Sequence, residues 1–175
     1  MKKIFIILII MIIFLSSLTI IKISDDQPLK KIITNFNILH EDSDIIGSIK
    51  IDKLNLNENL YKIESEENNV DKHVTILKES IFPENENSII FIAAHSGIGE
   101  IAYFKNLDKI EQNDIINLKL NNKEYNYIVK NTWEEPKNGF ININKEKENQ
   151  LILTTCSPTN NGKQLIVNCI EKESN

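Results

Sequence analysis

Eighteen consecutive residues, Ile4 to Ile21 (IFIILIIMIIFLSSLTII), carry no charge. No other feature limits the architecture of this chain as strongly. A segment apolar on every side suits lipid better than the surface or the core of a soluble domain. At about 1.5 Å per residue, roughly 18–20 residues span a bilayer core. Lys2 and Lys3 precede it. A cleaved signal peptide is the competing reading, and it asks for small residues at a cleavage site. Ser16, Ser17 and Thr19 match that only in part, and apolar residues run on to Ile21. The expectation is therefore one N-terminal transmembrane helix, with residues 1–23 as anchor and residues 4–21 in the bilayer. Charge does not set its orientation, because Lys22, Lys30 and Lys31 on the far flank nearly balance Lys2 and Lys3.

Residues 24–44 are polar and mixed and read as a stalk, with His40 as a surface residue. From Ile45 the texture changes. Ile46–Ile51 alternates, Ile89–Ala94 (IIFIAA) and Leu151–Thr155 are continuous apolar runs, and Leu165–Ile170 closes the series. Continuous runs of this length suit strands buried on both faces. Ile115–Leu120 and Tyr125–Val129 flank Asn121-Asn122, a hairpin signal. Short helices are expected around Glu100–Leu107 and Asn144–Asn149. Strands about every ten residues with little helix indicate a closed barrel or a sandwich, so residues 45–175 form one mostly β domain. The net charge of −5 argues against a nucleic-acid partner, which calls for a basic footprint. No Cys/His cluster has metal-ligand spacing, and no glycine-rich loop reads as a phosphate cradle. No metal or cofactor is therefore expected.

Two positions stand out for chemistry. His95 follows the run ending at Ala94, and Cys156 follows the run ending at Thr155. Each sits where a core strand gives way to a loop, which joins rigidity to access. A thiol becomes a nucleophile beside a base or a cation, and imidazole is the usual partner. The competing reading is a small buried hydrophobe and a structural histidine. The separation of 61 residues brings nothing together unless the fold does. Cys169 lies inside the last run and reads as core. His73, in a charged stretch, is a weaker candidate, and Trp133 reads as packing.

These residues also resemble a known family. Ile152-Leu153-Thr154-Thr155-Cys156 resembles the sortase signature Thr-Leu-x-Thr-Cys, with Ile152 in place of the first Thr. Ala94-His95-Ser96 resembles the family's Gly-His-Ser/Arg block. Ile46–Ile51 is similar to its opening strand, Phe104–Leu107 to its Phe-x-x-Leu segment, and Asn113-Asp114 to its Gly-Asp turn, with Asn able to take positive φ. The resemblance covers roughly residues 45–171. It implies an eight-stranded β-barrel with short helices. It also implies a cysteine transpeptidase or peptidase that is single-pass in the cell membrane, with its domain outside. Cys156 would attack the threonyl carbonyl of a sorting-signal peptide to give a thioester. The acyl group would then pass to an amine of the cell wall or of a pilin, with His95 as acid and base.

One departure is large. The family carries an Arg on the strand after the cysteine, and this chain has no arginine: every basic side chain is Lys. The Arg position falls at Gln164, which donates hydrogen bonds without charge. Gln164, Thr155 and the loop from Ser157 to Gly162 are the candidates for the substrate and oxyanion role. Two further readings stand beside the enzyme: a sortase-fold domain, weak or silent in catalysis, that binds a surface peptide or partner, and an anchored β-domain with structural Cys and His.

Overall fold

The computed structural model describes residues 44–84 and 87–172. The anchor expected over residues 1–23, the stalk up to residue 43 and His40 lie outside the described residues. Among the described residues, no helix is long and apolar enough to cross a membrane.

Eight strands follow in chain order: β1 (Ile45–Ile51), β2 (Leu56–Tyr61), β3 (Thr75–Ile76), β4 (Ile89–Ala93), β5 (Ile115–Leu120), β6 (Lys123–Pro136), β7 (Gln150–Cys156) and β8 (Lys163–Glu171). They form one sheet in the order β2-β1-β5-β6-β8-β7-β4-β3. The end strands β2 and β3 come into contact, so the sheet curls into a nearly closed barrel. Every pairing is antiparallel except β4 with β7, which is parallel.

That exception explains the two continuous apolar runs. Ile90, Ile92, Leu151 and Leu153 point into the main core with Ile49, Leu60, Phe104, Leu118 and Val167. The alternate residues Ile89 and Ile152 face outward, yet they are buried with Ile166 under Trp133, Ile141 and Ile143. The segment between β6 and β7 thus roofs the outer face of β4 and β7. Both faces of the pair are dry, so neither strand needs polar alternation.

The turns follow from asparagine. Asn121 and Asn122 take φ of +48° and +65°, the conformation a two-residue hairpin requires, and they join β5 to β6. Asn113 takes φ of +74° at the turn before β5. The two expected helices are replaced by other structure. Residues 100–106 form successive i→i+3 turns (Ala102 N–H to Gly99 O, Lys105 N–H to Ala102 O) that end in a 3₁₀ turn at Leu107–Lys109. The Phe104 N–H donates to His95 O at 3.0 Å, which ties this segment to the end of β4 instead of to its own helix. Asn144–Asn149 is irregular because the Gln150 side chain takes up its backbone: the amide donates to Asn144 O and accepts from Glu146 N–H.

Gly47 lies where β1 pairs with both β2 and β5. A Cβ there would collide with the Lys119 carbonyl oxygen, so side-chain absence is what permits the β1–β5 register. Gly47→Ala is expected to lower stability by roughly 1–3 kcal/mol, as overpacking does. Urea unfolding monitored at Trp133 measures it, and an unchanged midpoint would contradict this role.

Candidate active site

The parallel register of β4 on β7 assembles the site. Ile89 faces Gln150 and each later pair keeps the same offset, up to Ala93 facing Thr154. Continued by two residues, that register sets His95 beside Cys156. The contacts past the strand end keep to it. The Ala94 N–H donates to Thr154 O at 3.4 Å. The Thr155 hydroxyl donates to Ala94 O at 2.7 Å, and the Ser96 hydroxyl donates to Cys156 O at 2.9 Å. His95 is therefore bracketed by links from both of its neighbours to residues 154–156. The separation of 61 residues that carries no information along the chain is the register offset of the pair.

Cys156 ends β7 and is partly buried. Its sulfur accepts a hydrogen bond from Lys137 Nζ at 3.1 Å. The other cysteine is unlike it. Cys169 is fully buried on β8, and burial pushes its thiol well above the ordinary range, so it stays protonated and inert.

His95 is partly exposed, and its Nε2 lies 2.9 Å from Asp71 Oδ1. A carboxylate oxygen accepts, so Nε2 is the donor in this contact, and Nδ1 is the ring nitrogen that Asp71 does not engage. Asp71 comes from the segment before β3, remote in sequence. His73, two residues on, turns elsewhere: it stacks against Tyr61 with ring centroids 4.7 Å apart and meets Glu67 at 3.2 Å.

Gln164 lies directly across from Cys156 in the β7–β8 ladder. Its amide is occupied: Nε2 donates to Phe140 O at 2.6 Å and, more weakly, to Glu135 Oε1 at 3.4 Å. Thr155 is buried and spends its hydroxyl proton on Ala94 O. The loop after Cys156 is organised by Ser157. Its hydroxyl donates to Glu134 Oε1 and accepts the N–H groups of Thr159 and Asn160. The Ser157 bond, with help from Thr159 and Lys163, holds the Glu134 carboxyl below its ordinary range.

Two residues at the site, Lys137 and Asp71, escaped the sequence reading. Asp71 lies in a run of charged residues that resembles any solvated loop. Lys137 follows Pro136, and only the pairing of Pro136 with Lys163 brings it to the end of β7. Among the described residues no group of three His, Cys, Asp or Glu side chains gathers to hold a metal.

The Thr155 bond joins the ends of the two strands that carry Cys156 and His95. Thr155→Val removes it and leaves a buried carbonyl unpaired. The expected loss is about 1–3 kcal/mol of stability, read by thermal or urea unfolding. Retention of full stability would mean the bond does not hold the strand ends.

The family model for the sortase domain matches residues 49–171, about 70% of the chain. No curated protein matches. Among solved structures, sortase C of Streptococcus pneumoniae superposes with a TM-score of 0.66 at 25% identity, covering 75% of this chain and 70% of that one. Its structure bears on catalysis and pilin substrate specificity. Sortase C1 of Streptococcus agalactiae gives 0.64 at 22% identity over 76% and 70% of the two chains. A lid mutant of sortase A from Corynebacterium diphtheriae gives 0.65 at 20% identity over 75% and 72%. These last two likenesses concern the fold.

Proposed function

This chain belongs to the sortase family, and on that premise we propose that it is a membrane-anchored cysteine transpeptidase with Cys156 as nucleophile and His95 as acid and base. The observation that supports the reading is the β4–β7 register, whose continuation by two residues brings positions 95 and 156 side by side at the strand ends. Residues 4–21 serve as the membrane anchor, and the domain faces outward.

The reaction runs in two halves. The Cys156 thiol yields its proton to His95, and the sulfur attacks the carbonyl carbon of the scissile amide in a sorting-signal peptide. The S–C bond forms as the carbonyl π pair moves onto oxygen. The pair then returns, the C–N bond breaks, and His95 gives its proton to the departing amine, leaving a thioester. In the second half an amine, from a cell-wall precursor or a pilin lysine, loses a proton to His95 and attacks the thioester. The C–S bond breaks, and its electron pair returns to sulfur. Asp71 orients the ring through Nε2. Thr155 holds the two strand ends together. Gln164 stands where the family has Arg and acts through the turn it binds.

A second reading has one observation in its favour. With no arginine in the chain and the Gln164 amide occupied, the domain would bind a surface peptide without turning it over.

The protein is incubated with a panel of labelled sorting-signal peptides and its intact mass is measured, beside Cys156→Ala and His95→Ala. The expected result is a substrate-sized adduct that Cys156→Ala abolishes and His95→Ala slows by about 10²–10⁴. A peptide that binds while neither protein nor peptide changes mass would favour the binding domain. Resistance of Cys156 to alkylation in the folded protein would end the catalytic reading.

A further inference from the structure

We infer that Lys137 supplies the positive charge that activates Cys156, in a chain that has no arginine to supply it. The inference rests on the reading of Cys156 as nucleophile.

The contact is direct: Lys137 Nζ donates to the Cys156 sulfur at 3.1 Å. Among the described residues Lys137 pairs with no carboxylate, so its charge is not spent elsewhere. The other charged groups near the sulfur have their own partners. Glu134 is bonded to Ser157 and Thr159 and lies 4.0 Å from Lys163. Glu135 is taken by Asn142 and Gln164. His95 is held by Asp71.

The stem of Lys137 also starts from a fixed backbone. Its own N–H donates to Gly162 O at 2.8 Å, and the Asn138 N–H donates to Pro136 O at 3.0 Å. The Phe140 N–H donates to the Asn138 side chain at 3.1 Å. Gly139, at φ of +86°, lets the chain reverse there. Gln164 then closes the turn by donating to Phe140 O at 2.6 Å. The residue across from Cys156 therefore contributes position, while the cation arrives from the end of β6. Gln164 is a positioning residue and Lys137 a catalytic one.

An ammonium beside sulfur favours the thiolate without transferring a proton itself. The Cys156 proton goes to His95, and Lys137 keeps all of its own. As the S–C bond forms, negative charge passes from sulfur to the carbonyl oxygen of the atom just attacked. Three rotatable N–H donors on a charged, flexible stem follow that charge, where the amide of Gln164 is uncharged and already bonded to Phe140 O.

The test uses the full chain in detergent and compares Lys137→Met, Lys137→Arg and, as a control for general loss of charge, Lys163→Met. The probes are neutral iodoacetamide and anionic iodoacetate, and the readout is the rate of S-alkylation at Cys156 by each. Loss of the cation is expected to slow iodoacetamide and to lower the iodoacetate-to-iodoacetamide rate ratio by up to about 5-fold, the upper end of what an exposed charge pair contributes. Lys137→Arg restores both, and Lys163→Met leaves both near the starting value. Acylation by a reactive sorting peptide is expected to fall by about 10²-fold in Lys137→Met and to recover in Lys137→Arg. Unchanged alkylation in Lys137→Met, or an equal change in Lys163→Met, would overturn the assignment. So would full peptide acylation in Lys137→Met. If no peptide acylates the unsubstituted protein while alkylation still depends on Lys137, the transpeptidase reading fails and the activating cation stands.

Discussion

The site depends on one strand pairing. β4 and β7 are the only parallel neighbours among the described strands, and parallel strands cannot be joined by a tight turn. Nearly sixty residues separate them, including the two strands β5 and β6. What holds the pair in register is burial on both faces. Ile90, Ile92, Leu151 and Leu153 fill the interior, while Ile89 and Ile152 are sealed under Trp133, Ile141 and Ile143. A slip by one residue would exchange these two sets. It would also separate the Thr155 hydroxyl from Ala94 O. The geometry of Cys156 and His95 is thus a by-product of core packing, placed at the point where the strands leave the core and solvent begins.

A second feature of the site is how charge reaches it. A long apolar strand end gives a thiol rigidity but no electrostatic help. Lys137 arrives from the end of β6, on a turn tied down by Gly162, Asn138 and Gln164. The same segment, a few residues on, covers the outer face of β4 and β7 through Ile141 and Ile143. One connection therefore both seals the pair that carries Cys156 and brings a cation to its sulfur. Phe140, largely exposed at 72%, stands between those two tasks, beside the Gln164 amide.

Much of the fold is legible in the sequence because its signals are local. The buried runs at Ile89 and Leu151 announce strands dry on both faces, and the asparagines at 113, 121 and 122 announce turns that need positive φ. Cys156 and His95 are legible as strand-end residues for the same reason. The parallel register is not legible, since no local pattern says which of eight strands pair. Lys137 and Asp71 are invisible for that reason too: each is one charged residue among many until pairing fixes its neighbours. The two helices expected near Glu100 and Asn144 give way to contacts made at a distance. Phe104 reaches back to His95 O, and the Gln150 side chain captures the backbone of its approach. Propensity yields there to tertiary hydrogen bonds.

The most direct test of the account is the proximity of residues 95 and 156. Cα atoms of residues paired across adjacent strands are about 5 Å apart, within the range a disulfide bridges. His95→Cys in the full chain is oxidised mildly and digested without reduction, and the fragments are read by mass, with Cys156→Ser as control. The expected result is a rapid, nearly complete bridge between positions 95 and 156, with Cys169 left as a free thiol in the core. If both introduced and native thiols at these positions remained separately alkylatable in the folded protein, the β4–β7 register would not extend to the site, and the pairing of Cys156 with His95 would fall with it.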